Sequence, residues 1–312
     1  MLTRSYCAAK LEAEAIRRTM ATLGLTEVVL PVEIILPQTA SVFLMCAPLL
    51  YDVDYVINPW MAGNVHAASR ERAMEQWREL YKAVSQVAEV RLVEPQPGSP
   101  DMVFTANAGL LRGNEVAISS FFHPERQGEE PHFREWFREN GYKILDVARE
   151  TPFEGEGDAL FAEDGSRLWA GYGPRTMKSS HQALRDAWGI DVVGLELVDA
   201  RFYHLDTCFA PLSRGFVMYY PAAFSSQALR EIEGFYPSEK RIVVEEADAV
   251  RFACNAVSIG DTIILNRIGN RLVGQLESLG FDVVQVELSE FLRAGGAAKC
   301  LVMTLRPARM AQ

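Results

Sequence analysis

Phe153-Glu154-Gly155-Glu156-Gly157-Asp158 sets three carboxylates among two glycines, directly ahead of an apolar run at 159–162. It is one of five polar heads along the chain. The others are Asn107 in Phe104-Thr105-Ala106-Asn107, Asp206 in His204-Leu205-Asp206, Asn255 in Cys254-Asn255, and Cys300. Asn107, Asp158, Asp206, Asn255 and Cys300 follow one another at spacings of 45 to 51 residues. A chain with so regular a period folds as a ring or stack of like units, which brings equivalent positions together. Closed into a ring, this one would gather carboxylates, amides, a histidine and a cysteine about a single axis.

Working outward from each head, the unit reads as strand, glycine-containing turn, strand, amphipathic helix, strand. In the copy headed by Asn107, the apolar run 102–111 predicts the first strand, Gly113-Asn114 the turn and 116–121 the return strand. Phe133, Trp136 and Phe137 then recur at helical spacing before Gly141. The later copies predict first strands over 158–162, 207–212 and 256–259, and helices over 179–188, 226–235 and 271–279. The remaining copy is split: helix 70–88 and strand 90–93 complete it, and strands 41–47 and 300–305 come from opposite ends of the chain. Pairing the two ends in one unit removes exposed strand edges from a circular array. Residues 1–36 fall outside the repeats. Leu11, Ala15 and Met20 suggest a short amphipathic helix there, a packing or oligomerisation extension that leaves a homo-oligomer open. Residues 37–312 read as one catalytic domain.

A net charge of −10 argues against a nucleic-acid binder, which would present a basic face. It is compatible with a cationic substrate held by acidic groups in a cleft. The apolar stretch 28–36 is too short to span a bilayer and is interrupted by Pro31 and Glu33. The first twenty residues, with Lys10, Glu12, Glu14, Arg17 and Arg18, lack the apolar run of a secretory signal, so the cytoplasm is the default expectation. Five cysteines, an odd number without CxxC pairing, do not read as a disulfide framework. With no HExxH and five scattered histidines, no metal is expected.

Each head has an ordinary reading and a chemical one. Cys300 follows Gly295-Gly296-Ala297-Ala298-Lys299 and precedes Leu301-Val302-Met303. Alone, such a cysteine is usually a buried structural one; with small residues before it, substrate could approach the sulfur closely, and Lys299 could favour its thiolate. His204 and Asp206 form a His-x-Asp pair that a strand would place on one face, making the imidazole a usable acid and base near neutral pH. Glu154 and Asp158 lie in an acidic turn or, if the glycines fold it tightly, point into a cleft. Asn107, and Asn58 in Ile57-Asn58-Pro59-Trp60-Met61, are either turn caps or amide oxygens facing a planar donor. Arg126, Arg175 and Arg112 lie in turns near the heads, where a guanidinium could clamp a substrate carboxylate.

In order, these motifs are Asn-Pro-Trp-Met, Phe-Thr-Ala-Asn, Phe-Glu-Gly-x-Gly-Asp, His-x-Asp and a C-terminal Cys after small residues. Over residues 41–305 the set resembles the guanidine-modifying (pentein) superfamily, which includes arginine deiminases, dimethylarginine dimethylaminohydrolases and amidinotransferases. The resemblance implies an α/β fold, a five-bladed β/α-propeller of ββαβ repeats with pseudo-fivefold symmetry. It also implies a cofactor-free hydrolase acting on a small guanidino substrate such as L-arginine. In that family pattern Cys300 attacks the guanidinium carbon and His204 moves protons. Glu154 and Asp206 hold substrate nitrogens or the imidazole, Asn58, Asn107 and Asp158 line the substrate site, and Arg126 and Arg175 bind its α-carboxylate.

Deiminases of this superfamily generally carry Asp where this chain has Asn107. The amide looks like the arginine dihydrolase branch, which takes arginine to ornithine, carbon dioxide and two ammonia. An amide both donates and accepts, so it could hold a neutral citrulline-level intermediate that a carboxylate would favour less. The alternatives are a single hydrolysis giving citrulline from arginine or a methylated arginine, amidino transfer to an amine, and a non-catalytic propeller scaffold. Dihydrolases of this kind often carry a further C-terminal domain, whereas this chain runs only to Gln312.

Overall fold

The protein was analysed as a computed structural model, which describes residues 41–147 and 149–306. The expected helix within residues 1–36 lies outside the described residues. The fold is mixed α/β with five three-stranded sheets. The first joins β1 (Val42–Cys46) to β2 (Glu89–Val93) in parallel and to β15 (Met303–Arg306) antiparallel, so the two ends of the described chain share one sheet, as the split repeat predicts.

The other four sheets repeat one plan. β3 (Gly109–Arg112), β4 (Glu115–Ile118) and β5 (Lys143–Asp146) form the second, and β6 (Ala159–Phe161), β7 (Arg167–Tyr172) and β8 (Asp191–Glu196) the third. β9 (Phe209–Leu212), β10 (Phe216–Tyr219) and β11 (Arg241–Val243) form the fourth, and β12 (Val257–Ile259), β13 (Thr262–Asn266) and β14 (Asp282–Val286) the fifth. In each, an antiparallel hairpin is followed by a strand that returns parallel. The hairpin turns contain Gly113, Gly165, Gly215 and Gly260, all at φ between 56° and 71°, a backbone region that glycine enters without a Cβ penalty.

A helix covers each parallel crossover: α1 (Arg70–Ser85), α2 (Glu130–Glu139), α3 (Ser180–Trp188), α4 (Ser226–Phe235) and α5 (Asn270–Ser278). α1 and α4 start where Ser69 and Ser225 accept the backbone N–H groups of Arg72 and Ala228, which would otherwise lack helical partners. Gly189, left-handed, stops α3. α3 buries Leu184 and Trp188 against Leu168, Ala170 and Val192 of its sheet. Full burial of one such leucine stabilises by roughly 1.5–3 kcal/mol. No helix among the described residues is long and apolar enough to cross a membrane.

The heads depart from the predicted strands. The runs expected to begin strands at Met102, Asp158, Thr207, Ala256 and Cys300 all enter pairing later, at Gly109, Ala159, Phe209, Val257 and Met303. The heads occupy tight turns instead, closed by Asn107 N–H to Phe104 O, Asp158 N–H to Gly155 O, Thr207 N–H to His204 O, Asn255 N–H to Phe252 O and Val302 N–H to Lys299 O. A strand would send alternate side chains to opposite faces; a turn lets its polar residues be buried together with their backbone groups satisfied.

The turns also bond to one another in sequence. Asn107 Nδ2 donates to Glu154 O, and Leu205 N–H donates to Asp158 Oδ1. Asn255 Nδ2 donates to Asp206 O, Cys300 N–H to Asn255 Oδ1, and Ala106 N–H to Cys300 O. The five heads thus form a closed circuit of hydrogen bonds.

Candidate active site

Cys300 is 2% exposed, in a turn between Ala297 and Val302. The glycines before it answer to protein neighbours. A Cβ on Gly295 (φ 83°) would lie 2.8 Å from Tyr203 Oη, and one on Gly296 would lie 2.5 Å from the Phe104 ring. The small residues expected to admit substrate therefore let Tyr203, Asn58 and Phe104 close against the Cys300 turn.

The thiol donates to Asp206 Oδ2 at 3.3 Å and accepts from Asn255 Nδ2 at 3.1 Å. Burial, followed by the charge of Asp206, pushes the thiol well above its ordinary range. Burial also lifts the Asp206 carboxyl to about 7, against the opposing pull of Lys299 and the hydrogen bond from Cys300. The other carboxylate oxygen, Asp206 Oδ1, is buried with no partner among the described residues. Lys299 points away from the sulfur: its ammonium pairs with Glu156 and donates to Val302 O.

His204 and Asp206 do not share a strand face. His204 immediately precedes the 3-10 turn Leu205–Thr207, and its Nε2 lies 2.8 Å from Glu154 Oε2 and 3.9 Å from Asp158 Oδ2. The carboxylate that orients the imidazole is thus Glu154, because the turn rotates Asp206 away toward Cys300. Nε2 is thereby committed to Glu154.

Glu154 is fully buried. It accepts from His204, from Arg175 Nη1 at 3.1 Å and from Phe122 N–H at 3.1 Å. Burial alone would raise its carboxyl, but Arg175 and His204 outweigh that and hold it well below the usual carboxylate range. Asp158 accepts from Thr176 Oγ1 and Leu205 N–H, and burial brings it up to about 6 despite the pull of His204 and the Thr176 hydroxyl. Both glycines of the loop are needed. Gly155 (φ 63°) would press a Cβ against backbone oxygens of Gly109 and Ala106, and a Cβ on Gly157 would lie 2.2 Å from Asn107 Nδ2.

Asn107 accepts from Arg126 Nη1 at 2.8 Å and donates to Glu154 O. Arg126, in a short helix rather than an open turn, gives a bidentate pair of 2.8 Å bonds to Glu129 and a further bond to Asp101 O. Glu129 keeps it charged despite complete burial. Arg175 donates to Glu154 and to Ile57 O and stacks on the Tyr203 ring, 4.6 Å from its centre. Asn58 serves its own loop: Oδ1 accepts from Trp60 and Met61 N–H, and Nδ2 donates to Ala294 O. Arg112 lies elsewhere, donating to Trp188 O.

Asn58, Asn107, Arg126, Arg175 and Cys300 line one narrow cleft together with Tyr203 and Asp101. Asp101 was not singled out in the sequence. It lies six residues ahead of Asn107, accepts from Tyr55 Oη at 2.9 Å, and keeps Oδ1 buried without a partner among the described residues. Burial raises its carboxyl, opposed by Arg126. Two carboxylates thus each hold a buried oxygen with no donor among the described residues. A cation carrying several N–H groups is the chemistry that such oxygens accept.

Residues 55–306 match the family described as N,N dimethylarginine dimethylhydrolase, eukaryotic. The chain is 55% identical over 260 residues to the bifunctional arginine dihydrolase/ornithine cyclodeaminase ArgZ of Synechocystis sp., covering 83% of this chain and 37% of ArgZ. It is 39% identical over 273 residues to the N(G),N(G)-dimethylarginine dimethylaminohydrolase of Mycobacterium tuberculosis, covering 87% of each. The crystal structure of the N-terminal domain of ArgZ bound to substrate has a TM-score of 0.85 at 54% identity, over 86% of this chain and 98% of that domain. The same domain covalently bound to a reaction intermediate is equally similar, with a TM-score of 0.85. The chain spans 37% of the length of ArgZ and of AgrE, its counterpart in Nostoc sp..

Proposed function

The chain belongs to the N,N-dimethylarginine dimethylhydrolase family, and from that footing we propose that it hydrolyses the guanidinium group of L-arginine through a covalent cysteine intermediate, yielding ornithine, carbon dioxide and two ammonia. The observation that carries this reading is Asp206, which touches the Cys300 sulfur with one oxygen and keeps the other buried without a donor among the described residues. A guanidinium satisfies that oxygen with its N–H groups and brings its electrophilic carbon to the thiol.

The resting thiol is protonated, since burial and Asp206 both disfavour its thiolate. Entry of a cation reverses the balance, because a positive charge beside the sulfur favours ionisation. The thiol proton passes to His204 as Cys300 adds to the guanidinium carbon, and the leaving nitrogen takes that proton from His204 and departs as ammonia. His204, oriented by Glu154, next takes a proton from water as the water attacks the thiouronium carbon. Collapse of that adduct breaks the carbon–sulfur bond and leaves the ureido group of citrulline. A second addition of Cys300, now at the ureido carbon, expels the amine of ornithine. Water hydrolyses the remaining S-carbamoyl group to carbamate, which decomposes to carbon dioxide and ammonia.

The second round distinguishes a dihydrolase from a deiminase, and Asn107 is the residue we assign to it. Its Oδ1 and Nδ2 face Arg126 and the Glu154 backbone, and each atom retains capacity for one further bond. Such an amide can hold a neutral ureido group. Identity of 55% with ArgZ, an arginine dihydrolase by name, supports the same reading. Arg175, with donors beyond those given to Glu154 and Ile57, suits the α-carboxylate, while the Asp101 oxygen suits the α-ammonium. Arg126, engaged on several sides, chiefly fixes Asn107. No cofactor enters this scheme.

The five sheets are best taken as the blades of a five-bladed β/α-propeller with pseudo-fivefold symmetry; the closed circuit of head-to-head hydrogen bonds supports this. Residues 37–312 then form one catalytic domain, working in the cytoplasm on a small guanidino substrate.

A second reading is favoured by the family match and by the M. tuberculosis relative: hydrolysis of a methylated arginine to citrulline. One experiment separates the two. The purified protein is incubated with L-arginine and, separately, with N,N-dimethylarginine, and ornithine, citrulline and ammonia are quantified. Ornithine with two equivalents of ammonia from arginine is the expected result. Stoichiometric citrulline with one equivalent overturns the dihydrolase reading, and turnover of the methylated substrate alone establishes the second.

A further inference from the structure

Asn255 heads the fourth interval of the repeat, yet the mechanism above gives it no work. The side chain is fully buried and all four of its hydrogen-bonding positions are filled. Oδ1 accepts the backbone N–H of Ala297 at 3.1 Å and of Cys300 at 3.0 Å. Nδ2 donates to Asp206 O at 3.1 Å and to Cys300 Sγ at 3.1 Å. The two backbone donors fix the orientation of the carboxamide, because only its oxygen can accept them. The N–H that faces the sulfur is therefore set by the turn that carries the sulfur.

We propose that Asn255 is a catalytic residue of this site, one whose carboxamide oxygen locks the 297–300 turn while its N–H stabilises the Cys300 thiolate as it forms. The inference rests on the reading of Cys300 as the nucleophile. The two contacts of the sulfur respond differently to ionisation. As a thiol, Sγ–H donates to Asp206 Oδ2 and accepts from Asn255. When the proton leaves, the contact with Asp206 becomes a repulsion, whereas the contact with Asn255 becomes a hydrogen bond to an anion, roughly twice as strong as a neutral one. Asn255 then donates to the sulfur alongside the backbone N–H of Ala297, and Asn255 itself holds that N–H in place through Oδ1. The locked turn adds a second effect, since the sulfur cannot swing from that donor without breaking the bond from its own backbone N–H.

The test needs no substrate. Alkylation of Cys300 by iodoacetamide, a neutral reagent, is followed by mass spectrometry across a pH series on the full chain, together with a thermal melt of each variant. Asn255→Ser and Asn255→Ala remove the amide without adding charge. Asn255→Asp keeps oxygens for Ala297 and Cys300 and removes the donor to sulfur. The expected result is an alkylation midpoint about one pH unit or more higher in every variant that folds, equivalent to a tenfold or greater loss of thiolate at a fixed pH. kcat should fall with KM little changed. An unchanged midpoint in any folded variant overturns the proposal. So does a shift in Asn255→Asp with none in a folded neutral variant, because the added charge would then account for it. If neither neutral variant folds, Asn255→Asp decides alone: no rise, no role. Failure of arginine turnover in the unsubstituted protein would sink the proposed function while leaving this measurement intact.

Discussion

His204 and Asp206 are two residues apart and serve different partners: His204 Nε2 lies 2.8 Å from Glu154, while Asp206 Oδ2 lies 3.3 Å from Cys300 Sγ. The 3-10 turn between them divides the site into an imidazole–carboxylate pair and a thiol–carboxylate pair. In the proposed mechanism, proton transfer and nucleophilic attack fall to separate halves.

Cys300→Ser should abolish release of ammonia and ornithine and leave the melting temperature nearly unchanged. Serine is close in size to cysteine and can keep both the donor to Asp206 and the acceptor for Asn255, but it is a much weaker nucleophile at this position. Residual turnover above background in a product assay would contradict a covalent route.

Glu154→Gln should cost far more than one hydrogen bond. Arg175, 2% exposed, would lose its buried counter-charge, and breaking such a pair typically destabilises by about 3–5 kcal/mol. Turnover should also collapse, because Glu154 orients His204. Urea denaturation with parallel kinetics checks both; near-wild-type stability would show that the Arg175 pair is energetically idle.

Asp206 makes a signed pH prediction. Its folded carboxyl sits at about 7 against an ordinary 3.8, so between those values the folded state keeps a proton that the unfolded state has released. Stability from this group is present at low pH and falls as pH rises toward 7, by roughly 1.4 kcal/mol for each pH unit of difference. Asp206→Asn, which cannot titrate, should gain stability relative to the unsubstituted protein between pH 5 and pH 8. A pH-independent gap between the two urea midpoints would disprove the raised carboxyl.

Asn107→Asp should divert products from ornithine to citrulline. The new carboxylate would pair with Arg126 and could no longer donate to Glu154 O or to a ureido oxygen. The ratio of citrulline to ornithine, measured at early times with arginine in excess, is expected to rise at least tenfold. An unchanged ratio would remove Asn107 from the second hydrolysis.

Gly157→Ala should shift the product ratio in the same direction without removing any functional group. The added Cβ would fall 2.2 Å from Asn107 Nδ2, so the amide must move. If ornithine still forms at the unsubstituted ratio, placement of Asn107 is not what controls the second step.

The five-part plan was legible from the spacing of the heads and from glycines placed where hairpins reverse. Helices at 180–188 and 226–235 follow their apolar periodicity closely. The beginnings of the first strands were not legible. In 102–108 and 297–302 the apolar residues run on through the turn, so hydrophobicity alone does not mark where pairing begins. That same turn defeated the two-residue periodicity applied to His204 and Asp206. Asp101 was missed because a lone aspartate after proline reads as a turn residue, and only the long-range contacts with Tyr55 and Arg126 show otherwise. Asn255 carried a usable signal, its phase in the repeat, but its partners lie 40 or more residues away.

The sheet that joins β15 to β1 has a consequence for biosynthesis. Val42–Cys46 emerges from the ribosome well before Met303–Arg306, yet the two must pair before the circuit closes through Cys300 O and Ala106 N–H. Four sheets can assemble locally as the chain elongates, whereas the first waits on the longest loop closure among the described residues. A nascent chain would thus already hold His204, Glu154 and Asp206 while its nucleophile was still unassembled. Catalytic competence would arrive in one late step rather than accumulate with length, sparing the cell a half-built thiol enzyme during translation.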